Sequence, residues 1–520
     1  MSSPLPWVPQ RVLGLRILLK RALLGLLLGA LSLGVLEAQT SFPRIDPDPR
    51  ALSFYRPDPN SYTWLELAEI SLWSSGADSQ GIASGLNQIR GMAEAIRAAP
   101  DLPPGERERA EFVLDYMHRH LLRTYSFTQT RMDTMLSTGR FNCVSSAALY
   151  IILCRSLGIQ VSGVVTRDHA FAQVQNGGQN IDVETTNRLG FDPGGRRDFH
   201  DEFGRLTGFA YVPAANYRDR QTIRPIELVS LILRNRIAEH EGAQRFAEAV
   251  PLAVDRAALL LGPASAASAA APGAYSIFFE DPAANLLDRI LNYGAWHLRN
   301  RREEEGLRWA ALASPRFEDP RRWQEFIFAA VNNRLNRYVQ GAQPSSQQFR
   351  EAWNFLDWSR PLLDPPSLEQ FRSLLTDTEL AARANRISTR AEGDTFIEDV
   401  LEARREDLLD QGRAAELITF AVQRGAQIIS APPGRDWLGA IQYIEGALAR
   451  FGANRSLEQA LLTYQNNRAA DFHNRFAAAW NRRDYDEAER ILNEGLAEFP
   501  TNRQLLSNRE SIMRNRPQER

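Results

Sequence analysis

Cys143 opens a nearly unbroken apolar run, Cys143 to Leu157, with Asn142 before it and Gly158 after it. Asn is a good N-cap and Gly a good terminator, so the run reads as one buried helix with the sulfur in its first turn. There the unpaired backbone N–H groups and the positive end of the helix dipole favour thiolate over thiol, which is where a nucleophile belongs. Cys154 lies three turns deeper, after Ile151, Ile152 and Leu153, and reads as a small buried hydrophobe. The two sulfurs lie about 16 Å apart along the helix axis and cannot bridge.

A thiolate nucleophile needs a neighbouring imidazole, and the imidazole needs an acceptor for its other ring nitrogen. His169 follows at the head of a Val-rich segment, and Asp182 and Glu184 lie on the next one, beyond the turn signal Asn176-Gly177-Gly178. If Asn176-Gly177 is the two-residue turn, Glu184 falls opposite His169 and Asp182 is its diagonal neighbour. A register shifted by two brings Asp182 opposite instead. Both carboxylates share the face that His169 uses, because 182 and 184 have the same parity, and counting alone does not choose between them.

These segments resemble a known family. Gly139-Arg-Phe-Asn-Cys143 with its helix ending at Leu157-Gly158, the strand Val164-Val-Thr-Arg-Asp-His169-Ala-Phe171-Ala-Gln-Val174 and the segment Ile181-Asp182-Val-Glu-Thr-Thr186 are together similar to the transglutaminase-like core domain. Phe171 stands where Trp is commoner, and Val183-Glu184 intervenes where that family often has Asp-Pro-Thr. The resemblance covers about a third of the chain and implies a papain-like α+β fold with thiol acyl chemistry. It makes Cys143 the nucleophile, His169 the base and acid, and Asp182 the orienting residue, with Glu184 as the alternative orienting carboxylate.

The chemistry this implies is attack of the Cys143 thiolate on a peptide or protein amide, departure of the amine with a proton from His169, and transfer of the thioester to water or to a second amine. No cofactor or metal is called for: there is no H-E-x-x-H, and His118 and His120, two apart on a helix, diverge and read as surface residues. Gly177-Gly178 and Gly194-Gly195 lack the lysine and the strand-to-helix setting of a phosphate loop, and Asp192-Pro-Gly-Gly195 reads as a turn.

The elements that must position these groups sit within a chain of 520 residues, 44% hydrophobic and 24% charged, which excludes a disordered or fibrous protein. Its 61 basic and 63 acidic side chains give a formal net charge of −2, so there is no basic field for nucleic acid, which is not an expected partner. Arg11, Arg16, Lys20 and Arg21 precede the apolar run Ala22 to Leu36, and small Ala38 follows. Residues 1–38 therefore read as an export signal; the alternative is an uncleaved membrane anchor over residues 17–36. Either way the remainder is expected outside the cytoplasm, in the periplasm or cell envelope.

Residues 39–60, dominated by Pro and Asp, read as an extended lead-in. Residues 61–226 carry helical periodicity over Trp64 to Trp73, Gln80 to Ala98 and Pro103 to Leu122, then the Cys143 helix and three strands, and form the transglutaminase-like domain. Residues 227–520 read as an all-helical repeat region, interrupted by a low-complexity loop at 262–273. Its repeats are clearest at 430–510, where Arg483 to Ala488, Gly495 to Phe499, Asn502 and Leu505 match Arg435 to Ala440, Ala447 to Phe451, Asn454 and Leu457 at a constant offset. The segment around Trp480, Tyr485, Ala488 and Gly495 resembles half of a tetratricopeptide repeat, with echoes at Arg245 to Ala249 and Gly306 to Ala311. Such an array implies a protein partner or a protein substrate held by helix pairs. The reading that competes with an enzyme is a non-catalytic envelope scaffold in which the array binds partners and the Cys domain is structural.

Overall fold

A computed structural model describes residues 42–167, 169–193, 220–263, 281–317, 319–341 and 343–515. The signal or anchor at 1–38 and all but the first two residues of the low-complexity loop lie outside them. The chain is mostly helical with small sheets, and its helices follow one another in a repeat-like arrangement. It divides into two compact units at Phe326.

The first unit is built around the run that sequence marks as buried. Helices α1 (Pro49–Phe54), α2 (Trp64–Ser74), α3 (Ser79–Arg97) and α4 (Glu106–His120) precede it. Each of α1, α2 and α3 starts at a residue whose side chain accepts from the first turn, Asp48, Thr63 and Asp78, and Glu66 completes a capping box with Thr63. A short parallel pair, β1 (Thr124–Tyr125) and β2 (Arg140–Phe141), flanks α5 (Met132–Thr138) and delivers the chain to α6 (Cys143–Ser156). Every residue of α6 from Cys143 to Cys154 is buried, so the helix is wrapped on all sides, as its unbroken apolar composition demands.

One wrap is a four-stranded antiparallel sheet of β3 (Val161–Val165), β4 (Ala170–Asn176), β5 (Gln179–Val183) and β6 (Gln221–Ile223), in the order β5-β4-β3-β6. Gly177 and Gly178, with φ of 56° and 85°, make the β4–β5 turn, a pair of left-handed residues whose twist suits a tight hairpin. The turn therefore sits one residue later than Asn176-Gly177, and Gln173 pairs with Asp182. The other wrap is α7 (Pro225–Gly242), whose Leu228, Val229, Leu231, Ile232 and Leu233 are buried in the same core. Gly163 of β3 permits this approach, because a Cβ there would lie 2.5 Å from the Leu228 side chain.

Two boundaries differ from the sequence reading. Helices α7, α8 (Phe246–Leu261), α9 (Pro282–Arg299) and α10 (Glu303–Ala313) belong to the first unit, which does not end at residue 226. Their composition matches the later helices, so only the packing of α7 on α6 reveals the allegiance. The lead-in at 39–60 is also not simply extended. Asp48 caps and Pro49 starts α1, whose Ala51 and Phe54 are buried, and Arg44 pairs with Asp255 of α8 at 2.8 and 3.0 Å. Six residues are too few to show helical periodicity among so many prolines.

The division at Phe326 falls within α11 (Pro320–Tyr338). The second unit then continues through α12 (Ser346–Ser359), a 3₁₀ turn at Arg360–Leu362, α13 (Pro365–Ala384), α14 (Arg390–Arg405), α15 (Gln411–Ile429), α16 (Trp437–Phe451), α17 (Arg455–Asn481), α18 (Tyr485–Glu498) and α19 (Arg503–Asn515). The sequence match reappears as matched geometry. Arg435 and Arg483 both take positive φ, Asp436 and Asp484 cap the next helices, and Asn454 and Asn502 cap the ones after. Ala440 and Ala488 are fully buried, and seven residues on stand Ala447 and Gly495. A Cβ at Gly495 would lie 3.0 Å from Phe472, so small residues at this spacing let adjacent helices cross closely.

Candidate active site

Cys143 is the first residue of α6 because Asn142 stops the preceding strand. The Asn142 side chain accepts from Ser145 N at 3.0 Å, and Ser145 Oγ accepts from Asn142 N at 3.0 Å, a reciprocal cap that fixes the first turn. Asn142 Nδ2 reaches back to the Phe127 carbonyl at 3.3 Å. One turn into the helix, Ser146 Oγ is 2.8 Å from Thr185 Oγ1, so the sulfur's helix is tied directly to the segment that follows β5.

That segment carries the acid. His169 Nε2 lies 2.5 Å from Glu184 Oε2, and the other carboxylate oxygen accepts from Thr186 Oγ1 at 2.7 Å and from Thr186 N at 3.0 Å. Glu184 is fully buried, so its charge is held by three hydrogen bonds in place of water. Burial by itself would raise its pKa, yet the imidazole and the Thr186 donors hold it below the usual carboxylate value. Burial likewise works against the imidazolium of His169, but the Glu184 charge and the Cys143 sulfur, which act on the same ring, outweigh it and set its pKa well above the ordinary one. With Nε2 committed to Glu184, any proton exchange with a cysteine in the cleft falls to Nδ1.

Asp182 is not in this group. With the turn at Gly177-Gly178 it stands opposite Gln173, four residues along the ribbon from His169, and it accepts from Gln173 Nε2 at 2.9 Å and from Arg220 Nη1 and Nη2 at 2.8 and 2.7 Å. The parity argument survives because moving the turn by one residue changes register by two, leaving 182 and 184 on the His169 face. Arg220 lies over the Phe171 ring at 5.2 Å, and Phe171 stacks on His169 with centroids 6.0 Å apart. Asp182 thus anchors the support beneath the imidazole. His118, read from sequence as a surface residue, is half-buried with Nε2 3.1 Å from the Thr185 carbonyl; His120 is exposed.

Burial pushes the Cys154 thiol far above its ordinary pKa, and its neighbour Tyr150 offsets little of this. Cys143 instead borders a cleft of about 550 Å³ lined by Phe127, Asn142, His169 and, from α7 and α9, Leu231, Arg234 and Arg289. Phe127 is 66% exposed at its mouth. Thr186, Ser146, Thr185 and the α7 wall are the site residues that sequence reasoning did not single out. Thr186 had a signal, since it shares the parity of Glu184, whereas nothing in the sequence of α7 points at the cleft. Among the described residues no cluster of three or more His, Cys, Asp or Glu side chains is placed to hold a metal ion, and no helix is long and apolar enough to cross a membrane. No family model matches this chain, and no curated protein matches it.

Proposed function

We propose that this chain is an exported thiol enzyme of the transglutaminase-like kind, with a papain-like α+β core, acting on peptide or protein amides in the cell envelope. One observation supports the reading above all: a buried imidazole is held by a fully bonded carboxylate at 2.5 Å and lines the same open cleft as a helix-start cysteine. A structural histidine needs no cysteine beside it in a cleft, and a structural cysteine needs no cleft.

In this mechanism the Cys143 thiolate adds to the amide carbonyl carbon, and the oxyanion is met by the Cys143 backbone N–H at the helix start. His169, as imidazolium, gives its proton to the departing nitrogen as the C–N bond breaks, leaving a thioester on Cys143. Water or an amine then attacks the thioester, His169 takes the proton, and the sulfur leaves as thiolate. Glu184 keeps the ring in the orientation both steps require. The helical array, whose Trp480 to Pro500 stretch resembles a tetratricopeptide unit, would hold the substrate protein or a partner.

The test is alkylation of the full chain. Cys143 is expected to alkylate much faster than Cys154 at neutral pH, and to lose that advantage in His169→Ala. Equal rates at Cys143 and Cys154 at neutral pH would refute the enzyme and leave the non-catalytic scaffold. Mass spectrometry of an envelope extract with wild type and Cys143→Ala then sorts deamidation, new cross-links and new termini into hydrolase, transamidase and protease.

A further inference from the structure

Among the described residues of the first unit, Phe127 is the most exposed large apolar side chain, at 66%, ahead of Leu189 at 51% and Leu312 at 39%. A single exposed apolar residue is ordinary on a protein surface; what distinguishes this one is its place and how firmly it is held. It lines the cleft of Cys143 and His169. Its carbonyl accepts from Asn142 Nδ2 at 3.3 Å, so the residue that caps the Cys143 helix also holds Phe127. Before it, Ser126 N donates to the Phe141 carbonyl at 2.7 Å, and Gln129 N closes a turn onto the Ser126 carbonyl at 2.8 Å. After it, Gln129 Nε2 donates to the Arg131 carbonyl at 2.7 Å, and Thr130 Oγ1 accepts from Asn235 of α7 at 3.1 Å. The backbone on both sides is thus tied to β2, α6 and α7, while the ring stands mostly in solvent. The cleft adds apolar surface of its own: Val144 follows Cys143, Val165 and Ala170 flank the turn that carries His169, and Leu231 and Ala238 share one face of α7.

Resting on the thiol-enzyme reading, we propose that Phe127 is a specificity-determining residue whose ring packs against an apolar side chain, aromatic for preference, next to the scissile amide of the acyl donor. The substrate class is then an amide flanked by a hydrophobic residue, in place of one flanked by a small polar residue. Two rings that leave water together gain both the burial of their area and the packing of their faces and edges. The backbone that presents Phe127 is already fixed, so little further order is lost when the donor arrives. Charged side chains of both signs also line the cleft, and probes that carry no charge separate the apolar contribution from theirs.

The test compares N-benzyl iodoacetamide with iodoacetamide, both neutral, on Cys143 of the full chain, each rate divided by that of glutathione with the same reagent. The ratio of benzyl to parent reagent is expected to favour the benzyl compound in wild type, to fall roughly three- to tenfold in Phe127→Ser, and to stay within about twofold in Phe127→Tyr, which keeps the ring. Because the side chain is exposed, Phe127→Ser should hold the wild-type denaturant midpoint, so that a lower ratio is not a loss of fold. On wild type, a blocked Gly-Phe-Gly peptide should protect Cys143 from iodoacetamide at concentrations where blocked Gly-Ser-Gly does not. A reactive Cys143 whose ratio is the same in all three proteins, or which the two peptides protect equally or not at all, overturns this inference and leaves the enzyme standing. A Cys143 inert to both reagents overturns the two together.

Discussion

At the scale of single residues, the choice between two carboxylates two positions apart decides how the imidazole works. Glu184→Gln keeps the shape but removes the charge, and the rate of Cys143 alkylation at neutral pH is expected to fall by roughly 100-fold. Asp182→Asn is expected to leave that rate within about threefold, because the residue sits away from the ring, and to cost about 2–4 kcal/mol of stability by removing the charge that faces Arg220, read from denaturant midpoints. The opposite ranking would restore Asp182 as the orienting acid. The pair also shapes stability against pH. The His169 pKa is raised in the fold, so its contribution is whole below the unfolded value of 6.5 and fades as pH rises through the folded value. The Glu184 pKa is lowered, so its contribution is whole above 4.5 and fades as pH falls through the folded value. The stability gap between wild type and Glu184→Gln should therefore be widest between these two values and narrow on either side.

At the scale of elements, the site is a junction of two ends, the start of α6 and the segment after β5, and both are held by side chains capping backbone. Asn142→Ala removes the cap that sets the first turn and is expected to cost about 1 kcal/mol of stability, with a larger loss of Cys143 reactivity than that figure would suggest, since the helix start is where the thiolate is favoured. Comparing its chemical denaturation with its alkylation rate checks both halves. In the second unit, a Cβ added at Gly495 would lie 3.0 Å from Phe472, so Gly495→Leu should overpack that crossing by about 1–3 kcal/mol. Hydrogen exchange should then show faster opening of α18 and of the second half of α17.

At the scale of the molecule, two compact units divided at Phe326 should not unfold as one. Calorimetry is expected to resolve two transitions, with Ile444→Ala, in the core of the second unit, moving only one of them. The first unit carries its own acid sensitivity in His297. This residue is 2% exposed among Phe42, Tyr293 and Trp296, and neither ring nitrogen has a hydrogen-bond partner among the described residues. Burial lowers its pKa, with Arg302 in the same direction and Glu305 opposed. A folded state that prefers the neutral ring loses stability as pH falls below the unfolded value of 6.5, and His297→Phe should flatten that loss in the first transition. An unchanged pH slope would show that the ring is free to charge.

Local pattern alone marked the buried helix, its cap and terminator, the hairpin, the matched repeats, and the presence of a sulfur, an imidazole and two carboxylates on one side of a ribbon. Each of these follows from periodicity, parity or a turn residue, which act over a few positions and so are written in order along the chain. What they left open was decided by contacts between distant segments. A turn one residue later moved Asp182 away from the histidine to Gln173 and Arg220 and left Glu184 within its reach, because Asn176-Gly177 and Gly177-Gly178 could each host the turn and only the finished sheet chooses. The allegiance of α7, and with it part of the lining of the cleft, came from packing against α6 across the 68 residues that separate Ser156 from Pro225, where composition carries no address.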